Sequence, residues 1–152
     1  MNSNQLVVFN LGKEEYAIDI SYAKEIIRIP SFTKIPNVPH YIEGVFNLRG
    51  TVITVIDLKK RFEISNQERG TDSRLLILDF HEVQIGIIVD DISEVVRIDN
   101  LTIQDLDTEL ISISKNSIEG ITIMGERLII LLNALKLKTE IFKFCSGKEI
   151  ES

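Results

Sequence analysis

The sequence contains few of the residues from which disulfide frameworks and metal centres are built. Its 152 residues include one cysteine and two histidines. The single cysteine, Cys145, rules out an internal disulfide, and because no histidine lies near it in sequence, we expect a small apolar residue packed on a C-terminal helix. His40 and His81 have no cysteine or second histidine at metal-ligand spacing. We therefore predict no metal site and no cofactor.

Catalytic motifs and membrane-length apolar runs are also missing. The sequence has no glycine-rich phosphate loop, no GxSxG and no cysteine–histidine pair, so we predict no enzymatic role. The apolar runs "VITVIDL" and "LIILLNAL" fall well below the ~20 residues that a membrane helix needs. Residues 1–11 lack the basic and apolar regions of a signal peptide. We expect a cytoplasmic protein without direct membrane insertion.

Positive charge is scarce for a nucleic-acid-binding protein. Lysine and arginine number 17 against 23 aspartates and glutamates, which gives a net charge of -6. Nucleic-acid binding requires a basic face that neutralises phosphates, so we predict no nucleic-acid partner. The composition is otherwise globular, with 44% hydrophobic residues. We expect one domain over residues 1–152, made of two barrel subdomains that share strands, with residues 139–152 as a C-terminal helix and tail.

Short runs rich in β-branched residues dominate the chain. They are bounded by Gly, Asn, Asp or charged turns, as strands are. This pattern predicts an all-β protein with a few short helices, at 21–27, behind Asp57 and behind Asn133. Two polar connections, 63–73 and 99–117, are predicted to be loops. The predicted strands are residues 6–11, 15–20, 44–48, 51–58, 74–80, 83–89, 118–124 and 127–132.

An internal repeat organises these elements. Residues 15–29 align without a gap over 84–98, and 41–60 align over 117–136. The alignment sets Ser21 over Asp90 as helix caps, and a cap explains the acidic pair at 90–91 better than metal or acid–base chemistry does. Each half is too small to be stable alone, so the halves should exchange strands. The expected shape is two small barrels with a groove between them.

Several motifs carry a resemblance to a known family. "GKEEYAIDI", "EIIR", "PNVPHYIEGVFNLRG", "VIDLKKRF" and "GIIVDDISEV" together resemble the CheW family of bacterial chemotaxis coupling proteins, over residues 6–137. The resemblance implies two intertwined five-stranded SH3-like barrels from an internal duplication. It also implies a non-enzymatic adaptor with two partners, the regulatory domain of the histidine kinase CheA and the cytoplasmic tip of methyl-accepting chemotaxis receptors. An adaptor of another chemosensory pathway, such as twitching motility or second-messenger control, is the alternative.

Arg49 lies between two apolar strands and needs an explanation. A buried, unpaired guanidinium would cost several kcal/mol, so Arg49 is expected at a groove edge or in an ion pair. The family pattern points to Glu25 as its partner. Two interpretations stay open: the pair clamps its own hairpin, or it lies at the rim of the groove and contacts the receptor.

The remaining site residues follow from the resemblance and from the expected helix-binding groove. Such a groove needs apolar walls with a polar rim, and Val95 and Val96 are wall candidates from the second half. Gly44 and Gly120 are expected to mark close backbone approach or a bulge. The predicted receptor-binding residues are Ala23, Glu25, Ile27, Gly44, Val45, Asn47 and Arg49, and the predicted structural turns are Gly50, Gly86 and Gly120.

Overall fold

The computed structural model describes residues 4–64, 70–97, 103–104 and 117–145, most of which lie in β-strands. All of the predicted strand runs are found in strands. The elements are β1 (Gln5–Leu11), β2 (Glu14–Asp19), β3 (Ala23–Arg28), β4 (Ile42–Leu48), β5 (Thr51–Asp57), α1 (Leu58–Arg61), β6 (Arg74–Asp79), β7 (Gln84–Val89), β8 (Asp91–Arg97), β9 (Ile103–Gln104), β10 (Ile118–Met124), β11 (Arg127–Leu132) and α2 (Ala134–Phe142).

The strands form two sheets, and each sheet takes strands from both halves of the chain. The first sheet has the order β8-β1-β2-β11-β10-β9, and the second has the order β3-β6-β7-β5-β4. The hairpin β1–β2 of the first half therefore lies in the first sheet, among strands of the second half. The hairpin β6–β7 of the second half lies in the second sheet, among strands of the first half. The predicted exchange of strands between the halves is confirmed, with six strands in one sheet and five in the other.

The two sheets repeat the same register. The parallel pair β2–β11 sets Ala17 opposite Leu131, and the parallel pair β5–β7 sets Gly86 opposite Val55. These are the positions that the sequence alignment superposes. A bulge is also duplicated, because the pairing shifts before Gly44 in β4 and before Gly120 in β10. The structure therefore supports the internal duplication down to single residues.

Glycine occurs at three positions inside strands because another part of the chain passes too close to leave room for a side chain. A Cβ on Gly44 would lie 2.2 Å from the carbonyl oxygen of Thr33, and one on Gly120 would lie 2.6 Å from that of Gln104. Gly86 lies in β7, where a Cβ would meet the side chain of Leu75 at 3.0 Å. Gly86 and Gly120 are therefore strand positions, and their prediction as turns is wrong.

The helix predicted at 21–27 is wrong as well. Only Ile20–Tyr22 form a short 3-10 turn, and β3 follows it at Ala23. Side chains of β3 alternate between half-buried and exposed, the period of a strand, because the strand pairs with β6. Asp90 likewise precedes β8 and caps no helix. Pairing with a neighbouring strand outweighs the local helix signal in both halves.

The helices behind Asp57 and Asn133 begin where predicted. The Asp57 carboxylate accepts hydrogen bonds from the amides of Lys59 and Lys60, at 3.0 and 3.2 Å. Asn133 caps α2 in the same way through the amide of Lys136, at 3.0 Å. A single helix, Ala134–Phe142, stands where the sequence suggested a short helix followed by another from residue 139. Residues 146–152 of the predicted tail lie outside the described residues, as do 65–69 and most of 99–117.

Three apolar clusters form the core. Alternate side chains of each strand point to opposite faces, and one face of each sheet contributes to a shared cluster that also contains the buried face of α2. The opposite faces form a separate cluster for the first sheet and another for the second. Cys145 joins the shared cluster just beyond the end of α2. The shared cluster joins the two sheets into one folded unit.

Candidate functional site

Arg49 lies at the tip of the hairpin between β4 and β5. Arg49 and Gly50 have φ values of 50° and 89°, as in two-residue turns that match the twist of the flanking strands. The side chain of Asn47 accepts a hydrogen bond from the amide of Gly50 at 2.8 Å and fixes the turn. This geometry directs the Arg49 side chain, 65% of which is exposed, away from the hairpin.

The Arg49 guanidinium donates a hydrogen bond to the Glu25 carboxylate, as the sequence predicted. Glu25 lies on β3 rather than on a helix. Because β3 and β4 are opposite edges of the second sheet in strand order, this contact brings the two edges of the sheet together. A solvent-exposed ion pair of this kind contributes less than about 1 kcal/mol. The guanidinium is therefore held in place without being buried.

The other predicted site residues divide between the two faces of the second sheet. Ile27 packs with Phe46 and Leu48 on the cluster that belongs to this sheet alone. Ala23 packs instead against the shared cluster. Val45 and Asn47 lie opposite Thr54 and Val52 in the register of β4 and β5, on the face away from Phe46. Contacts join Glu25 to Arg49 and Asn47 to Gly50, and the backbone of Val45 pairs with that of Thr33.

The two groove candidates from the second half also separate. Val96 is only 7% exposed and belongs to the cluster of the first sheet. Val95, its neighbour on β8, is 51% exposed. Val96 is therefore ordinary core, and only Val95 is available at the surface.

Exposed apolar side chains lie at equivalent positions of the repeat, and of the four described here only Val95 was a predicted groove residue. Ile26 on β3 and Val95 on β8 are equivalent, and both are about half exposed. Val52 on β5 and Leu128 on β11 are a second equivalent pair. The alignment of the two halves could have revealed these pairs. Ile26 and Val95 each follow the glutamate of a matched Glu-x-x-Arg segment, and Val52 and Leu128 each follow a matched hairpin turn.

A second arginine–glutamate cluster, in the first sheet, joins β11 to its neighbour β2 and to the edge strand β8. Arg127 donates two hydrogen bonds to Glu15, at 3.0 and 2.6 Å, and lies 2.7 Å from the Glu94 carboxylate. The hydrogen bonds from Arg127 hold the pKa of Glu15 below its usual value, and the same bonds raise the pKa of Arg127. Glu94 aligns with Glu25 in the repeat, which is the signal that could have identified this cluster.

A third cluster attaches α2 to the first half of the chain. The Glu140 carboxylate accepts hydrogen bonds from Arg61 on α1, at 2.6 Å, and from the hydroxyl of Tyr41, at 2.8 Å. Burial and this hydrogen bond raise the pKa of Tyr41 to about 12, while Arg61 lowers the pKa of Glu140. The guanidinium also lies over the Tyr41 ring, 5.6 Å from its centroid. Residues 79 positions apart cannot be paired from one sequence.

A polar cleft of about 480 Å³ lies where the chain crosses from β7 to β8. There the ammonium group of Lys59 lies 3.0 Å from Asp90, which also accepts a hydrogen bond from the Gly12 amide at 2.7 Å. Asn10 donates to Asp91. Within the described residues, no group of three or more His, Cys, Asp or Glu side chains is placed to hold a metal ion. The acidic pair 90–91 is therefore part of a tie between the two halves.

The described residues also contain no helix that is long and apolar enough to cross a bilayer. The site combines an exposed ion pair at a hairpin tip with the half-exposed Ile26 on the edge strand β3, and exposed polar and apolar groups of this kind suit contact with another protein. A duplicated, strand-exchanged β fold with such a site is typical of proteins that bind other proteins rather than small molecules.

Comparisons with known proteins agree with this class. The CheW-like domain family matches residues 5–141. The chain is 34% identical to the chemotaxis protein CheW of Treponema pallidum, over 97% of this chain and 85% of the relative, and 32% identical to that of Bacillus subtilis, over 86% and 83%. The crystal structure of the scaffolding protein TtCheW from Thermoanaerobacter tengcongensis superposes with a TM-score of 0.79 at 38% identity, covering 88% of this chain and 86% of that one.

The chain therefore belongs to the CheW family of chemotaxis scaffolding proteins, which couple receptors to the kinase CheA. The predictions of family, all-β fold class and non-enzymatic adaptor function are confirmed.

Proposed function

We propose that this protein works in the cytoplasm as an adaptor with two protein partners. One is the regulatory domain of a CheA-type histidine kinase, and the other is the cytoplasmic tip of methyl-accepting chemotaxis receptors. The observation that carries the proposal is the exposed guanidinium of Arg49, held by Glu25 at the closed edge of the second sheet.

The chemistry of Arg49 suits the polar side of a receptor helix. A guanidinium carries five N–H donors in a fixed plane, and Glu25 engages one of its terminal nitrogens. The remaining donors fit a carboxylate or amide oxygen in a charge-assisted hydrogen bond. Because Arg49 is already positioned by Glu25, little side-chain entropy is lost when a partner binds.

Apolar contact would accompany this polar anchor. A helix that docks on a protein surface buries one apolar stripe between a polar rim. Ala23, Ile27 and Val45 are each partly buried, whereas Gly44 is buried against the backbone of Thr33. These residues and Asn47 form the proposed receptor-binding set with the ion pair.

The kinase would use a different surface. The family resemblance gives the kinase regulatory domain the same fold, so edge-to-edge docking of like barrels is the expected geometry. Within the described residues, β8 is an edge of the first sheet, and it carries the half-exposed Val95. Edge strands offer unpaired backbone groups to a partner strand. This edge lies on the other sheet from Arg49, so both partners can bind together.

Calorimetric titrations test the proposal. The wild-type protein and Arg49→Glu are titrated with the kinase regulatory domain and with a receptor hairpin fragment, both from the same genome. We expect kinase binding to survive and receptor affinity to fall about tenfold or more, because the new carboxylate repels acidic groups and lies beside Glu25.

Lys13→Glu is the matched control, since it makes the same change of charge at the exposed turn between β1 and β2. It should leave receptor binding unchanged. Normal receptor binding by Arg49→Glu would contradict the assignment of the site. Failure of the wild-type protein to bind the kinase domain would contradict the adaptor proposal itself.

A further inference from the structure

Two arginines face each other across the two strands at one edge of the second sheet. Arg28 is the last residue of β3 and Arg74 is the first residue of β6, and the antiparallel register sets them directly opposite. Residues in such a position point to the same face of a sheet, with their Cβ atoms about 5 Å apart. Two positively charged side chains therefore leave the sheet side by side.

Neither arginine has a carboxylate partner among the described residues. Arg28 is exposed. One terminal nitrogen of Arg74 donates to the backbone carbonyls of Thr71 and Ser73, at 2.9 and 2.8 Å. The other N–H groups of Arg74 are left for a partner, as are those of Arg28. Three arginines elsewhere in the fold each pair with a glutamate, namely Arg49, Arg61 and Arg127.

The arrangement costs the folded protein stability. Like charges directly opposite on neighbouring strands destabilise a sheet. Carboxylates are plentiful, since aspartate and glutamate number 23 against 17 lysines and arginines. In the described part of the chain, however, none of them pairs with Arg28 or Arg74. The fold alone does not account for two adjacent arginines, whereas a partner that supplies negative charge does.

The other half of the repeat lacks the pair. Arg97 on β8 is the equivalent of Arg28, and it lies opposite Gln5 on β1 rather than opposite an arginine. Both halves keep a half-exposed apolar residue on the same face two positions earlier, Ile26 and Val95. The paired positive charge is thus a feature of the second sheet alone among the described strands.

We propose that Ile26, Arg28 and Arg74 form a docking site for an acidic segment of a protein partner. Adjacent guanidinium groups bind carboxylates through charge-assisted hydrogen bonds, and Ile26, which is 47% exposed, contacts an apolar side chain of the same segment. Carboxylates bound between the two arginines offset their repulsion, so complementarity of charge selects an acidic occupant. A net charge of -6 disfavours nucleic acid in that role.

The site is separate from the contact between Arg49 and Glu25. Glu25 and Ile26 are consecutive residues of β3, so their side chains point to opposite faces of the strand. A partner on the Ile26 face therefore does not need the guanidinium of Arg49. The site adds a second surface for protein contact on the same edge strand.

Titration with peptides of defined charge tests the site. The probe is a short peptide of glutamate and leucine, and its matched control has glutamine in place of each glutamate. Side-chain NMR follows the Nε–Hε signals of Arg28 and Arg74 at low ionic strength, where charge contacts are least screened. We expect the acidic peptide to shift both signals and the glutamine peptide to leave them unchanged. Equal shifts with the two peptides, or no shift with either, would overturn the proposal.

Arg28→Gln separates docking from a role in the fold. It removes one charge of the pair, so we expect affinity for the acidic peptide to fall about fivefold, as for loss of an exposed ion pair. The urea midpoint should stay the same or rise, because the repulsion is relieved. A lower urea midpoint would contradict the proposal, since Arg28 would then serve the fold.

Arg97→Gln is the matched control, because it makes the same change of charge at the equivalent position, opposite a glutamine. It should leave both the peptide affinity and the urea midpoint nearly unchanged. Equal losses of affinity in Arg28→Gln and Arg97→Gln would mean that the peptide responds only to net charge, and the site would be refuted. Neither the receptor nor the kinase takes part in these measurements, so their outcome is independent of the proposed adaptor function.

Discussion

The two sheets share the same backbone register but differ in their charged side chains. In each, a bulged edge strand presents a glutamate, Glu94 or Glu25, to an arginine of the facing hairpin. Arg127 lies on a strand between two carboxylates, whereas Arg49 lies on a turn with one. Core packing therefore preserves the same backbone register in both sheets, whereas the charged residues at the ends of their strands have diverged. The divergence leaves the Arg49 side chain 65% exposed and the Arg127 side chain 38% exposed.

The largest expected loss of stability tests the backbone geometry that the two sheets share. Replacement of Gly44 by Ala puts a Cβ 2.2 Å from a backbone carbonyl at a φ of +151°, so we expect a loss of about 3 kcal/mol or more in the free energy of unfolding. Gly120→Ala meets its carbonyl at 2.6 Å, and we expect about 2 kcal/mol. Urea denaturation measures both.

Gly125→Ala supplies the control for backbone strain without a clash. Gly125 has a φ of +65° and no atom within 4 Å of the added Cβ, so about 1 kcal/mol is expected. If Gly44→Ala cost no more stability than this control, the close approach of the Thr33 backbone would not constrain β4.

The strands were predictable because their signal is local. Runs such as Thr51–Asp57 are rich in β-branched residues and lie between turn residues. The strands β3 and β8 were missed because Ser21 and Asp90 resemble helix caps. In β3 the good helix formers at residues 23–25 strengthened that signal. Their strand conformation comes from pairing with β6 and β1, and such pairing depends on residues more than 45 positions away.

The site was predictable in part for a related reason. The Arg49–Glu25 pair was found because a family motif carries it, and the structure places the two side chains in contact. Arg127 and Arg61 have no comparable motif, and their partners lie 112 and 79 residues away. Distance in sequence hides a contact unless the register of the sheets is known.

The next effect tests a difference between the halves, the attachment of α2. Arg61→Met leaves the partly buried Glu140 without its cation, and we expect the protein to lose about 2 kcal/mol of stability, less than for a fully buried pair. Thermal and urea denaturation measure the loss. Glu140→Gln should cost less, because it removes the charge while the amide oxygen still accepts from Tyr41.

Lys138→Met is the control on the same helix. Lys138 contacts the exposed Glu82 across a surface ion pair, so its removal should leave stability nearly unchanged. Equal effects at Arg61 and Lys138 would mean that α2 is held by its apolar face alone.

The smallest effect is a pH dependence that only the first sheet should show. Arg127 lowers the pKa of Glu15 in the folded state, so the unfolded chain binds the proton more tightly. The contribution of Glu15 is fully present above the pKa of an unfolded glutamate, about 4.3, and is lost as the pH falls through the lower folded value. Glu15→Gln should therefore cost less than about 1 kcal/mol of stability at pH 7 and nothing in strong acid.

Gln84→Met, at the equivalent place in the second sheet, is the control. Its stability difference from wild type should not vary across this range, because the glutamine side chain does not titrate. Urea denaturation between about pH 2 and pH 7, a range that spans the titration of a carboxylate, compares the two variants. A pH-independent loss for Glu15→Gln would mean that the Arg127 contact does not distinguish the two sheets in solution.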